Sequence, residues 1–148
     1  LVSRVVVAVG GVMVVVGQVA RTAGMWTAGG NFKHRIAVER RASHRLVTWG
    51  VYSYLRHPSY FGWFYWSVGT QLLLCNPLCA VLYAFVSWTF FARRIPDEEA
   101  LLLSFFGHAY STYARATPIG IPGIAGHALA EAPVARRIGR LHSTGQTG

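Results

Sequence analysis

The residue pattern predicts an all-α chain: a polytopic membrane protein fragment with about three transmembrane helices, including a helical hairpin, plus cytosolic helical segments. Three observations carry this. Hydrophobic residues make up 53% of the 148 positions and charged residues only 13%, where a soluble domain has about 25% charged. The apolar residues are gathered into three long runs. An Asn76-Pro77 turn signal then separates the second run from the third.

The first run, residues 5–20, is interrupted only by Gly10, Gly11, Gly17 and Gln18. Val2 extends it and Arg4 can snorkel to the interface, so residues 1–23 are expected as one transmembrane helix. Valine is a middling helix former in water, but backbone in lipid must satisfy its own hydrogen bonds. The seven-residue spacing of Gly10 and Gly17 marks either a helix-contact face or tolerated small residues. The chain opens on Leu1, so the start of a parent protein is expected upstream. The first run lacks the small-residue cleavage site of a signal peptide.

Residues 24–57 read as a polar segment at the cytosolic face. Seven of the 14 basic residues fall at positions 21–56 and six lie from Arg93 onward, while the turn at Cys75 to Cys79 has none. Positive residues stay cytoplasmic, so these two segments share the cytosolic face and the turn points the other way. The hairpin is expected over residues 58–93, opened by the aromatic cluster from Tyr60 to Trp66 and ended by Arg93-Arg94. That cluster is most simply an interfacial belt, with a cation–π wall as the minority reading.

A cytosolic helix and end segment is expected over residues 94–122. Pro96 suits a helix start, and Asp97, Glu98 and Glu99 suit the positive end of its dipole. Leu102, Phe106, Tyr110 and Tyr113 form one apolar stripe, with Gly107 weakening the helix locally. Residues 123–148, small, polar and basic, are expected to form a loose tail.

Several functions are excluded or weakened. The net charge of +9 lies beside apolar spans, and no zinc-finger, helix-turn-helix or RNP pattern occurs, so nucleic acid is not the expected partner. Cys75 and Cys79 form no disulfide framework and, without a nearby His, no metal site. Gly10-Gly11 is not a nucleotide loop, and no nucleophile elbow appears. The sequence does not end in Cys-a-a-X, so the chain is not expected to be a prenylation target itself.

Two charged clusters remain. Arg56-His57-Pro58 with Tyr60 lies at one cytosolic foot of the hairpin, and Arg93, Arg94, Asp97, Glu98 and Glu99 at the other. Each has a plainer reading, as headgroup anchor or as charged helix cap. Together they suit a ligand that carries both charges beside lipid.

These residues resemble the isoprenylcysteine carboxyl methyltransferase family. The likeness rests on Thr27-Ala28-Gly29, Asn31-Phe32, His44, Leu46-Val47-Thr48, Gly50-Val51-Tyr52 and Arg56-His57-Pro58-Ser59-Tyr60. It continues through residues 62–67, 69–71 and 74–77, then Phe90-Phe91, Arg94, Glu98-Glu99, Phe105-Phe106-Gly107, Tyr110, Tyr113 and Pro118. Arg-His-Pro-x-Tyr alone is shared with sterol reductases, so a sterol-type membrane reductase using NADPH is the alternative, beside a truncated non-catalytic membrane fragment. The resemblance implies methylation of the C-terminal carboxylate of prenylated cysteine, with S-adenosyl-L-methionine as cofactor. It makes residues 24–57 the cofactor-binding segment and assigns cofactor contacts to His44, Arg45, Leu46, Val47, Tyr52, His57, Pro58, Ser59, Tyr60 and Glu98. Arg94 is implied as the catalytic and substrate-binding residue. Ala37 stands where the family has a polar cofactor contact, and Arg45 is larger than the usual residue there. The implied partners are prenylated proteins such as small GTPases, and membrane lipid. The implied location is the endoplasmic reticulum membrane, multi-pass, with the site facing the cytosol.

Overall fold

The computed structural model describes residues 2–31 and 45–127. His44 and Ala37 lie outside the described residues, as does the tail from position 128 on. Among the described residues four helices follow in order: α1 (Val2–Ala28), α2 (Pro58–Leu73), α3 (Pro77–Phe106) and α4 (His108–Ala116). Two short 3-10 turns, Gly29–Asn31 and Gly50–Ser53, lie between α1 and α2. The described residues contain no strand. By length and composition α1 and α3 are long and apolar enough to cross a membrane. α2 has 16 residues, about 24 Å at 1.5 Å per residue.

α1 and α2 pack through glycine. A Cβ on Gly10 would lie 2.7 Å from the Leu73 nitrogen and 2.8 Å from the Gly69 oxygen. One on Gly17 would lie 2.6 Å from the Gly62 oxygen, and one on Gly24 would meet Pro58 at 3.0 Å. The seven-residue spacing of Gly10, Gly17 and Gly24 thus meets Gly69, Gly62 and Pro58 running the other way, so of the two readings of that spacing the contact face is the one realised. Outward from this seam Val5, Val9, Val12, Val16 and Val19 are exposed.

Pro58 opens α2 at its first turn. The helix ends at Leu73, and two residues on Cys75 takes φ 52. The Asn76 side chain accepts the Cys79 N–H at 3.2 Å and caps α3, which Pro77 opens. α3 then differs from expectation: it passes unbroken through Arg93-Arg94, and Pro96 lies inside it, not at a new start. An interior proline removes one i→i−4 bond. Here tertiary packing outweighs that loss, because Phe91, Ile95 and Glu99 are buried on one face across the proline. The break falls at Gly107, with φ 53, so the stripe of Leu102, Phe106, Tyr110 and Tyr113 bends from α3 into α4 around buried Tyr110 and Ala114.

The chain beyond α4 is also packed where it is described. Ile119 and Ile121 are buried against Phe91 and Ile95, and Ile124 joins them. The Arg56 N–H donates to the Pro118 carbonyl at 2.9 Å, and its Nη2 donates to the Ala125 carbonyl at 3.0 Å. Between those points Trp88 Nε1 donates to the Pro122 carbonyl at 2.7 Å, and Tyr65 Oη to that of Gly120 at 3.2 Å. Residues 117–127 therefore form a strap whose two ends meet at Arg56, and positions 123–127 are not loose. Irregular backbone of this kind is sustained when other residues take up its carbonyls.

Candidate functional site

The two charged feet meet. The start of α2 lies beside the middle of α3: Tyr60 stacks on Phe91 at 5.0 Å, and Trp63 meets Phe91 edge-on at 5.9 Å. Tyr60 is the junction. Its hydroxyl donates to Glu98 Oε2 at 2.5 Å and accepts from Arg94 Nε at 2.9 Å. The Arg94 guanidinium also lies over the Tyr60 and Phe90 rings, 5.6 and 5.7 Å from their centroids. Arg94 and Glu98 are one helical turn apart, so a single face of α3 presents a cation and an anion to one phenol. From here a groove of about 480 Å³ runs along α3, from Phe85 and Val86 past Phe90 to Arg93, Arg94 and Asp97. Its walls are apolar at one end and charged at the other.

Tyr52 joins from the 3-10 turn. Its hydroxyl donates to the Gly24 carbonyl at 3.3 Å, and its own carbonyl accepts from Tyr113 Oη at 2.6 Å. Burial, and next the Glu98 carboxylate, push its phenol up to about 12. Burial also raises Tyr113, with the neighbouring Tyr52 as the second cause.

The other residues that the resemblance points to are spread around this centre. Pro58 packs on Gly24 of α1, and the Ser59 hydroxyl accepts from Arg21 Nη1 at 3.5 Å, so both face α1. Leu46 packs on the Tyr110 cluster, Val47 is buried, and Arg45 is exposed. His57 is buried, stacks on Tyr60 at 5.4 Å, and places Nε2 3.3 Å from Glu99 Oε1.

Glu99 and Arg56 carry part of the resemblance but are not among the cofactor and substrate contacts it implies, yet they form the most buried charged pair described. Their side chains are 0% and 1% exposed, with Arg56 Nη1 3.3 Å from Glu99 Oε1. Arg56 Nη1 also donates to the Ala114 carbonyl at 3.1 Å. Beside the carboxylate lies Tyr110, whose ionisation is raised far above its ordinary range, by burial first and by Glu99 second. The sequence signal for Glu99 is its place four residues after Ile95 and eight after Phe91. It becomes visible only when α3 is read as one helix across Pro96.

The family model for the isoprenylcysteine carboxyl methyltransferase (ICMT) family matches residues 9–104. The chain belongs to this family. It is similar to protein-S-isoprenylcysteine O-methyltransferase of Xenopus laevis, 55% identical over 118 residues, which cover 80% of this chain and 41% of that one. The Homo sapiens enzyme of the same name is 53% identical over 114 residues, 77% of this chain and 40% of its own. The Dictyostelium discoideum enzyme is 50% identical over 116 residues, 78% and 49% respectively. The chain thus spans between two fifths and one half of the length of these curated relatives. Among solved structures, one of the eukaryotic intramembrane Ras methyltransferase ICMT matches with a TM-score of 0.80 and 48% identity, over 82% of this chain and 44% of that one. The span matched by the isoprenylcysteine carboxyl methyltransferase model contains Tyr52, His57, Tyr60, Arg94, Glu98 and Glu99, and ends before the strap.

Proposed function

We propose that this chain forms the cofactor- and carboxylate-binding part of a membrane methyltransferase acting on the C-terminal carboxylate of prenylated cysteine. The observation that carries the reading is Tyr60 Oη held between Arg94 Nε and Glu98 Oε2, at the charged end of an apolar groove. This donor set fits S-adenosyl-L-methionine: a carboxylate for its positive groups, a guanidinium and two phenols for its carboxylate and hydroxyls. When bound, the cofactor supplies a methyl group activated on sulfonium.

The chain's own residues then have three tasks. Glu98 and Tyr60 bind the polar groups of the cofactor, with Tyr52 against the adenosine. Arg94 orients the cysteine carboxylate, because a planar fork matches two oxygens better than an ammonium does. That carboxylate is ionised at neutral pH, its ordinary value being roughly 3.3–3.7, so no general base is required. The apolar end of the groove, at Phe85, Val86 and Phe90, takes the prenyl chain, where each buried methylene is worth about 0.8 kcal/mol relative to water. Holding donor and acceptor in line supplies the effective concentration.

In this reading α1, α2 and α3 all cross the bilayer, α2 in tilted or thin surroundings. The site faces the cytosol of the endoplasmic reticulum, and the substrates are prenylated proteins such as small GTPases. The test is transfer of label from methyl-labelled S-adenosylmethionine to a farnesylcysteine analogue, by the full-length parent and by this chain. Arg94→Ala is expected to abolish transfer while the folded state persists; near-normal turnover removes Arg94 from the mechanism. Binding of labelled NADPH in place of the methyl donor would instead support the reductase reading.

A further inference from the structure

Glu98 and Glu99 are neighbours with different surroundings. A helical step of about 100° puts Glu98 on the groove face with Arg94, and Glu99 on the core face with Ile95 and Phe91. Glu99 accepts from Arg56 Nη1 and meets His57 Nε2, each at 3.3 Å. The His57 ring in turn lies nearly parallel to that of Tyr60, with an interplanar angle of 10°. Tyr60 therefore stacks with both His57 and Phe91. Its hydroxyl reaches Glu98 only while α3 keeps the rotation about its axis that the Arg56–Glu99–His57 contacts set.

The strap closes on two of these residues, Arg56 and Glu99. Both of its ends bond to Arg56, and Gly126 comes so near Glu99 that a Cβ there would lie 2.7 Å from the carboxyl carbon. Its φ of +77 also favours glycine. A buried ion pair is weak support for stability alone, since apolar groups of similar volume commonly serve as well or better. What the pair adds here is a fixed geometry between α2, α3 and the strap.

We infer that Arg56, Glu99 and His57 are positioning residues for the Tyr60–Glu98 contact, and that residues 117–126 act on cofactor binding through Glu99. The inference rests on the reading that Tyr60 and Glu98 bind the cofactor.

The test uses the full-length parent in detergent or nanodiscs, with two variants. The first carries Arg56→Met and Glu99→Leu together, which removes both charges while filling similar volume. The second carries Gly126→Ala, which leaves every ionisable group in place and displaces the carboxylate. For each, the dissociation constant of S-adenosylhomocysteine, kcat, the KM of a farnesylcysteine analogue and the thermal midpoint are measured. In both variants cofactor affinity is expected to weaken about tenfold or more, the equivalent of one misplaced bond to a charged group. The prenyl-substrate KM is expected to stay within about threefold, and the midpoint of the double variant within about 4 °C. Unchanged cofactor affinity in folded variants overturns the inference. So does loss of both ligands in step with the midpoint, which is the signature of a structural role. If the double variant does not fold, Gly126→Ala decides by the same criteria. A wild-type protein that binds no S-adenosylhomocysteine sinks the functional reading and this inference with it, an outcome distinct from a variant that binds as well as wild type.

Discussion

Replacing Gly10 by alanine places a methyl group against the backbone of α2. Its nearest neighbours would be the Leu73 nitrogen at 2.7 Å and the Gly69 oxygen at 2.8 Å, and no rotamer change relieves a backbone contact. Moving from 2.7 Å to the 3.4 Å where ordinary contact begins shifts α1 from α2 by about 0.7 Å. A gap of that size forfeits roughly a quarter to a half of the dispersion energy of the atoms along it. Overpacking of this kind costs about 1–3 kcal/mol. Alanine regains about 1 kcal/mol of helix propensity. Gly11→Ala is the internal control, because its Cβ would meet only Leu73 Cδ2 at 3.8 Å. Both variants share the propensity gain, so their difference isolates the packing term at about 1–3 kcal/mol. Thermal unfolding in detergent, followed by far-UV circular dichroism, is the assay. At about 2–4 °C per kcal/mol for a chain of this size, Gly10→Ala should melt several degrees below Gly11→Ala. Equal midpoints for the two variants would refute the close approach of α1 and α2.

Tyr60→Phe keeps the stack on His57 and Phe91 but removes the hydroxyl shared by Glu98 and Arg94. Bonds to charged groups are worth about 1.5–3 kcal/mol, so S-adenosylhomocysteine affinity measured by calorimetry should fall by roughly ten- to a hundredfold. Unaltered affinity would detach this hydroxyl from the cofactor. Alkaline titration probes Tyr52, whose phenol is pushed up to about 12 in the fold from an ordinary value near 10. Because the neutral form is the one the fold favours, its contribution is complete below pH 10 and is lost as pH rises toward 12. Tyr52→Phe should flatten the stability decline across that window, and an identical alkaline profile for wild type and variant would contradict this.

Composition and local chemistry were sufficient for much of this arrangement. Long valine-, leucine- and aromatic-rich runs can be stable in lipid only as helices, so α1 and the apolar half of α3 are written in residue type alone. Asn76-Pro77 reads as a turn because both residues act on their own backbone: Asn76 caps α3 and Pro77 starts it. The distribution of arginines put the feet of α2 and α3 on one side, and Tyr60, Arg94 and Glu98 do meet. What residue type left undecided depends on partners far along the chain. Pro96 is locally a helix start, and only burial of Phe91 and Ile95 on one side of it, and Glu99 on the other, carries α3 through. Glu99 looks like one more acid in a charged cap until Arg56, 43 positions away, neutralises it in the core. Residues 117–127 carry no helical or strand period, since their order comes from Arg56, Tyr65 and Trp88 taking up their carbonyls one by one. A period can be read along a chain; the partner of a buried charge or a lone carbonyl is set by which distant segments the packing brings within about 3 Å.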